Sequence, residues 1–203
     1  TLFELFVNGV HGGVAAIQRG DPNLDEETSL NTDFGVRWRT SRIEFKANVY
    51  RNAISDYIFL SDTGEQNAAG LPIFQVDQDD AVLVGGDISL WAQLSERFDV
   101  RATFETVDGE FDAGSDDLPL LPADQFQLRG RWRAGDWGPL QDVRLSAGLR
   151  YAADKDAAGL REPFGQFDRI PFGTASTEDY TLIDLGLAFD VSLGRSDLEI
   201  DVG

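Results

Sequence analysis

The sequence contains no cysteine, no methionine and a single histidine among its 203 residues. The absence of cysteine excludes disulfide frameworks, thiolate metal sites and cysteine nucleophiles. The absence of methionine, together with an opening Thr1-Leu2-Phe3 that has no basic region ahead of an apolar one, predicts that residues are missing before position 1. Because Asp201 to Gly203 continue an alternating pattern, we also expect the chain to stop within a strand.

Two further absences narrow the class of protein. No apolar run approaches the roughly 20 residues of a membrane-spanning helix, so any membrane crossing must use strands. Basic residues are few, with 17 Lys and Arg against 36 Asp and Glu and a net charge of -19. Binding to nucleic acid relies on clustered Lys and Arg, so this balance disfavours a nucleic-acid partner. Acidic surfaces favour cations, although acidic loops most often only solvate a protein.

What the sequence does contain is a period-two alternation of apolar and polar residues, repeated in about eight segments. The first places Leu30, Phe34 and Trp38 on one face and Asp33 and Arg37 on the other. The others run over residues 43–50, 87–94, 98–105, 127–133, 143–151, 183–189 and 197–202. Several of these segments approach the 9 to 11 or so residues of a tilted membrane crossing, whereas soluble strands are nearer 5 to 6.

The connections between these segments alternate in length. Short ones are predicted at 39–42, 95–97, 134–142 and 191–196, and long ones at 56–80, 108–124 and 153–178. In an up-and-down meander every second connection lies at the same end, so short turns collect at one rim and long loops at the other. This asymmetry is typical of outer-membrane barrels.

The two faces of the segments favour the same architecture. Mixed charges occur on the polar face, and outward aromatic residues lie near segment ends, with Trp38, Phe98, Trp132 and Phe189 beside short turns and Phe104 and Tyr151 toward long loops. Phe34 and Phe45 fit this pattern less well. The sequence therefore predicts an all-β fold, a transmembrane antiparallel up-and-down β-barrel segment. A soluble antiparallel sheet with one wet face would also alternate and is the alternative.

Several blocks of the sequence resemble TonB-dependent outer-membrane receptors. The opening block comprises Glu4-Leu5-Phe6, Asn8-Gly9, His11, Gly20 to Leu24 and Thr28-Ser29, and it is similar to the family's GNPNL-KPE loop. The later blocks are Asn48 to Asn52, Tyr57 to Leu60, Gly86 to Leu90, Leu120 to Ala123 and Tyr180 to Leu185. Asp25-Glu26 replaces the usual Lys-Pro before Glu, which makes this loop more acidic. The opening block is nearest to zinc-uptake receptors.

The resemblance spans the chain and implies a barrel of about 22 strands, of which residues 1–203 would supply about eight as part of one barrel domain. It also implies an N-terminal plug and a C-terminal end of the barrel outside this chain. The expected function is active uptake of a scarce nutrient through the outer membrane of a Gram-negative bacterium. Expected partners are outer-membrane lipid and lipopolysaccharide, the TonB complex and a small nutrient ligand. A passive porin and a soluble β-rich binding domain are the alternatives.

No motif for catalysis is present. The sequence has no nucleophile elbow, no HExxH and no phosphate loop, so we expect no catalytic residues, no enzymatic activity and no resident cofactor.

Acidic residues suggest sites for a divalent cation as a substrate or loop ligand. His11 precedes Asp21, Asp25 and Glu26, and imidazole with carboxylates suits zinc. Calcium ligands are suggested in two acidic loops, around Asp62, Glu65, Asp77, Asp79 and Asp80 and around Asp108, Glu110, Asp112, Asp116 and Asp117. Neither loop has the spacing of a known calcium loop, and solvation also explains both.

The polar face carries a row of charges that we expect to line the lumen. These residues should pair across neighbouring strands and against the plug. The row comprises Arg37, Lys46, Asp87, Arg101, Glu105, Arg129, Arg131, Arg144 and Arg150.

Overall fold

The computed structural model describes residues 1–12, 16–112, 117–156, 176–192 and 197–202. These residues contain one short helix, α1 (Leu2–Phe6), and ten strands. The strands are β1 (Asn8–His11), β2 (Ala16–Arg19), β3 (Thr28–Arg39), β4 (Ile43–Gln66), β5 (Pro72–Gln93), β6 (Phe98–Phe111), β7 (Gln125–Trp137), β8 (Leu140–Ala152), β9 (Tyr180–Ser192) and β10 (Asp197–Val202). Among the described residues, no helix has the length and apolar character needed to cross a membrane.

Strands β3 to β10 form an antiparallel meander in which each strand pairs with the next along the chain. The pairing register aligns the predicted apolar residues on one face. One row of directly paired residues runs across five strands, from Ala47 through Ile88, Phe104 and Phe126 to Tyr151. Since a slip of one residue would turn every side chain to the opposite face, this agreement confirms the predicted strand faces.

The apolar face, here called the outer face, is not covered by a second layer. Phe34 is 68% exposed, Ile183 73% and Leu185 72%. A soluble sandwich would bury such residues between two sheets. The outer face therefore has the character of a surface that contacts lipid, as the sequence predicts for a transmembrane sheet.

The predicted loop at 56–80 is wrong, because most of it is strand. β4 continues to Gln66 and β5 begins at Pro72, so the two strands form one long hairpin with a turn at residues 67–71. The amide oxygen of Asn67 accepts the backbone N–H groups of Ala69 and Leu71, and Gly70 has a φ of 78°. A bulge between Ile54 and Tyr57 separates the hairpin's projecting part from the regular sheet.

The N-terminal residues pack beside this projecting hairpin, an arrangement that the sequence pattern did not predict. β2 pairs antiparallel with β1 and parallel with β5, with Ile17 opposite Ile73. The side chain of Gln78 joins the following loop, accepting the N–H of Asp25 at 2.7 Å and donating to its carbonyl at 3.0 Å. The buried apolar residues Phe74 and Val76 lie in this part of β5, so most of the small core lies at the long-loop end.

The predicted turns agree with the structure where it describes them. Residues 40–42 and 94–97 connect strands as predicted, and the 134–142 turn is tighter than predicted, because β7 ends at Trp137 and β8 begins at Leu140. Residues 113–116, 157–175 and 193–196 lie outside the described residues. They include Asp116, most of the predicted 153–178 loop and most of the 191–196 turn.

Candidate functional site

The polar face opposite the outer face, here called the inner face, carries most of the charged groups of the meander. It includes all nine charges predicted to line a lumen. In the register, Arg37 is opposite Lys46, Asp87 opposite Glu105, Arg101 opposite Arg129, Arg131 opposite Ser146, Arg144 opposite Arg133 and Arg150 opposite Gln127. Among the described residues, three clusters of ion pairs form on this face, and each lies close to the rim of short turns.

The first cluster surrounds Glu44, the second residue after the β3–β4 turn. Its carboxylate contacts Arg37 Nη2 at 3.0 Å and Lys46 Nζ at 3.0 Å, and it accepts a hydrogen bond from Arg39 Nε at 2.9 Å. The Glu44 side chain is 19% exposed, whereas its partners are half exposed. One carboxylate thus organises three cations from two strands.

The second cluster surrounds Asp99, the second residue of β6, which is only 5% exposed. Its carboxylate contacts Arg131 Nη2 at 3.2 Å and Arg133 Nη2 at 3.3 Å, and it accepts a hydrogen bond from Trp91 Nε1 at 3.4 Å. A buried carboxylate is costly unless it is paired and hydrogen-bonded. These contacts from β5 and β7 therefore fix Asp99 between its two neighbouring strands.

The third cluster surrounds Arg144 on β8. Its guanidinium contacts Glu199 at 2.6 Å, Asp190 at 3.5 Å and Asp142 at 3.6 Å. Glu199 and Asp190 are direct partners on β10 and β9. Arg144 therefore connects its own strand to the next two.

Farther from the rim, the inner-face charges are not paired in this way. Within the described residues, no carboxylate lies within ion-pair distance of Arg101, Arg129 or Arg150. Asp87 and Glu105 face each other across β5 and β6 without a basic partner among those residues. The predicted lumen row thus divides into a paired group at the rim, which contains Arg37, Lys46, Arg131 and Arg144, and an unpaired group deeper along the strands.

The predicted zinc ligands are not brought together. His11 is exposed at the end of β1, and Asp21 Oδ1 accepts hydrogen bonds from the backbone and side-chain nitrogens of Asn23 at 2.8 and 2.9 Å. Asp25 contacts Gln78 through its backbone, and Glu26 is exposed. In the described ranges, no three His, Cys, Asp or Glu side chains are arranged to hold a metal ion. The zinc and calcium sites remain predictions.

The acidic residues of the projecting hairpin have local roles in the backbone. Asp80 Oδ1 accepts a hydrogen bond at 3.1 Å from the backbone N–H of Asp56. Asp56 is the bulge residue and has a φ of 57°. Asp62 Oδ1 accepts the N–H of Gly64 at 2.9 Å. The contacts of Asp80 and Asp62 explain part of the acidic pattern by turn and bulge geometry. On the neighbouring strand β6, Asp108 forms an ion pair at 3.8 Å with Lys155 Nζ.

Sequence reasoning did not single out Glu44, Asp99, Asp190 or Glu199 as site residues, although they anchor the three clusters. The available signal was position: each lies on the polar face within three residues of a short turn. Selecting them also requires the strand register, because their partners come from adjacent strands.

An antiparallel meander with a continuous apolar outer face, a charged inner face and unequal connections at its two ends is the wall of a transmembrane β-barrel. The family model described as TonB dependent receptor-like, beta-barrel matches residues 1–203. The chain belongs to this family.

Solved structures agree with this assignment at the level of the fold. The copper transporter OprC matches with a TM-score of 0.69 and 16% identity, over 89% of this chain and 25% of that one. A variant of the ferric enterobactin receptor PfeA from Pseudomonas aeruginosa matches with a TM-score of 0.56 and 16% identity, over 92% and 26%. The ferric yersiniabactin uptake receptor FyuA from Yersinia pestis matches with a TM-score of 0.58 and 10% identity, over 86% and 24%.

The chain spans about a quarter of the length of each of these proteins. No curated protein matches the sequence. The family and these neighbours are receptors and transporters.

Proposed function

We propose that the intact protein is an outer-membrane receptor of a Gram-negative bacterium that imports a scarce nutrient by TonB-coupled transport. The observation that carries the proposal is the division of one continuous sheet into an apolar outer face and a charged inner face. Lipid would cover the first face, and the second would line the path of the nutrient. Family membership supports the energy coupling.

The proposed substrate class is a metal ion or metal chelate. This choice is supported by the copper transporter and the ferric siderophore receptors among the structural neighbours, and by the excess of acidic groups. The resemblance of the opening block to zinc-uptake receptors makes zinc one candidate. His11 is the residue proposed to capture zinc, because neutral imidazole is a good ligand for this ion.

Uptake by a deletion strain that carries the full-length receptor tests the proposal. Uptake of Zn²⁺, Cu²⁺ and a ferric siderophore is measured separately in cells with and without a functional TonB complex. The proposal expects one probe to accumulate only with both receptor and TonB. Receptor-dependent uptake that continues without TonB would instead identify a passive porin.

His11 provides a test of zinc capture in the same strain. If this side chain captures zinc, His11→Ala lowers growth under zinc limitation, whereas Asn8→Ala on the same exposed strand does not. Equal growth of His11→Ala and wild type would reject zinc capture at His11 and leave TonB-coupled uptake of another nutrient open to the first assay.

The inner-face charges are proposed to contact a plug that closes the barrel. Solvated ion pairs can exchange partners without disrupting an apolar core, which suits a plug that must move. Charge reversal at Arg37, Arg131 and Arg144 together should increase leakage of a large antibiotic into cells while the barrel remains inserted. Unchanged leakage would contradict this role. Outer-membrane lipid is the proposed neighbour of the outer face, and the acidic loops are proposed to bridge through divalent ions to the phosphates of lipopolysaccharide.

A further inference from the structure

One cation lies on the apolar outer face of the meander. Arg51 on β4 stands opposite Thr32 on β3 and Val84 on β5, at register positions that belong to the outer face. Of the arginines that the structure describes in strands β3 to β10, it is the only one on this face, since the others lie on the inner face. The alternation of β4 would place an apolar residue at this position, as it does at Val49. Arg51 therefore departs from the pattern that defines the outer face.

Arg51 has no partner of opposite charge in the part of the chain that the structure describes. It is exposed, and no carboxylate in those ranges lies within ion-pair distance of its guanidinium. The acid in the same register row is Asp108, which lies beyond Val84 and about 10 Å away across two strand spacings. Asp108 already forms an ion pair with Lys155. A counter-charge for Arg51 therefore has to come from outside the described sheet.

Apolar side chains surround this cation. Phe34, Val49 and Val84 are each more than half exposed, and so is Leu30 on the side of the long loops. An arginine on the lipid-facing side of a barrel is destabilising near the middle of the membrane, and the cost falls toward the boundary with the head groups. Arg51 is therefore best accommodated where its guanidinium reaches an anionic head group.

Arg51 lies close to the boundary of the apolar band on the long-loop side. It follows Arg42 of the β3–β4 turn by nine residues. At about 3.3 Å per residue and a strand tilt of about 40°, this separation is about 23 Å along the membrane normal, whereas the apolar band of a barrel is about 25 Å tall. A long arginine side chain can extend from this position to the head groups. The long loops of bacterial barrels face outward, where the surrounding lipid is lipopolysaccharide.

We propose that Arg51 binds a phosphate of lipopolysaccharide at the outer boundary of the barrel wall. The guanidinium donates paired hydrogen bonds to the phosphate oxygens, and the hydroxyl of Thr32 opposite it supplies a further donor. Phe34 and Val49, on the side toward the short turns, contact acyl chains of the same molecule. This inference rests on the proposed outer-membrane barrel. It assigns a direct contact that needs no bridging divalent ion.

Retention of lipopolysaccharide by the purified full-length receptor tests the site. Wild type, Arg51→Gln and Arg97→Gln are extracted from the outer membrane in a mild detergent with EDTA, and co-purified lipopolysaccharide is counted by native mass spectrometry. Arg97 provides the matched control, since it is an exposed arginine in the short turn after β5. We expect Arg51→Gln to retain at least about threefold less lipopolysaccharide than wild type, because it loses a charge-assisted, bidentate contact. Arg97→Gln should retain as much as wild type.

Reconstitution in vesicles of neutral phosphatidylcholine identifies the phosphate that is bound. Added lipopolysaccharide should raise the unfolding temperature of wild type by at least about 2 °C more than that of Arg51→Gln. Lipopolysaccharide whose lipid A phosphates have been removed should not produce this difference. An equal difference with phosphatidylglycerol, at the same phosphate content, would overturn lipopolysaccharide as the occupant.

Equal retention by wild type and Arg51→Gln, with no difference between them in the vesicles, would overturn the site. If Arg51→Gln does not insert, as judged by heat-modifiable gel mobility, Arg51→Lys is compared instead. Lysine keeps the charge but not the paired donors, so retention equal to that of wild type would again overturn the site. TonB-dependent uptake by wild type is measured in parallel, because its absence shows a failure of the proposed function, whereas a failure of the site leaves it intact.

Discussion

Tyr50 on β4 and Gly85 on β5 are register partners, and the Tyr50 ring lies over Gly85 on the inner face. A Cβ atom at position 85 would lie in contact with the Tyr50 hydroxyl, 2.5 Å from its Cζ and 2.8 Å from the carbonyl oxygen of Thr106. The glycine therefore allows the tyrosine ring to lie over the strand, an arrangement that protects an otherwise bare stretch of backbone.

Gly85→Ala should destabilise the full-length receptor by about 1 to 3 kcal/mol, because the new methyl group meets both a ring and a backbone carbonyl. Urea unfolding in detergent micelles measures the change. Gly9→Ala is the control, since nothing lies within 4 Å of a Cβ there. Adding Tyr50→Ala should recover part of the loss, and equal stability of Gly85→Ala and Gly9→Ala would contradict the contact.

Asp99→Asn should lower the free energy of unfolding by about 1 to 2 kcal/mol, because it leaves Arg131 and Arg133 without their shared counter-charge. The expected loss of stability is small because both arginines are partly solvated. Asp124→Asn, at an exposed carboxylate without an ion pair among the described residues, should change it by less than about 0.5 kcal/mol. Similar losses at the two positions would show that the Asp99 cluster contributes nothing specific.

Arg144 and Glu199 should be energetically coupled across β8 to β10. A double-mutant cycle with Arg144→Gln and Glu199→Gln is expected to give a coupling of about 0.2 to 1 kcal/mol, since Glu199 is more than half exposed. Hydrogen exchange should also increase in β10 when Arg144 is replaced. If the effects of the two single substitutions on the free energy of unfolding are additive, and exchange in β10 is no faster, Arg144 does not connect these strands energetically.

Leu128 and Gln127 are neighbours that face opposite sides of β7. Leu128→Arg should cost about 2 to 4 kcal/mol in lipid, because it places a charge near the middle of the outer apolar row. Gln127→Arg adds the same charge to the inner face and should have a much smaller effect. Equal costs, measured by urea unfolding of the receptor in lipid vesicles, would contradict the assignment of the faces.

The strand faces could be predicted from sequence because polarity alternates over many residues and a register error would reverse each face. The long hairpin of β4 and β5 could not be predicted in this way. Acids such as Asp62, Asp77 and Asp79 interrupt the apolar alternation beyond Ile54, yet pairing between β4 and β5 continues past a bulge. Outside the lipid a strand needs no apolar face, so the signal that identified the rest of the strands is missing there.

The sequence predicted which face of the sheet carries the charges of the candidate site, but it did not predict which charges form ion pairs. Alternation placed Arg101, Arg129 and Arg144 on the polar face, and the structure shows that only Arg144 has acidic partners among the described residues. The parallel pairing of β2 with β5 was also beyond sequence reasoning, because contacts between distant segments leave no local period. The ion-pair partners of each charged residue depend on the strand register and on the length and conformation of the side chains in the folded sheet.

Successive residues of one strand alternate between contact with lipid and contact with a wet interior, and this alternation can be measured directly. Nitroxide spin labels can be attached at single cysteines introduced from Phe126 to Trp132, one at a time, into a cysteine-free variant of the full-length receptor in lipid vesicles. We predict maximal oxygen accessibility at 126, 128 and 132 and minimal accessibility at 127, 129 and 131. Accessibility without a period of two, or with the opposite phase, would contradict it.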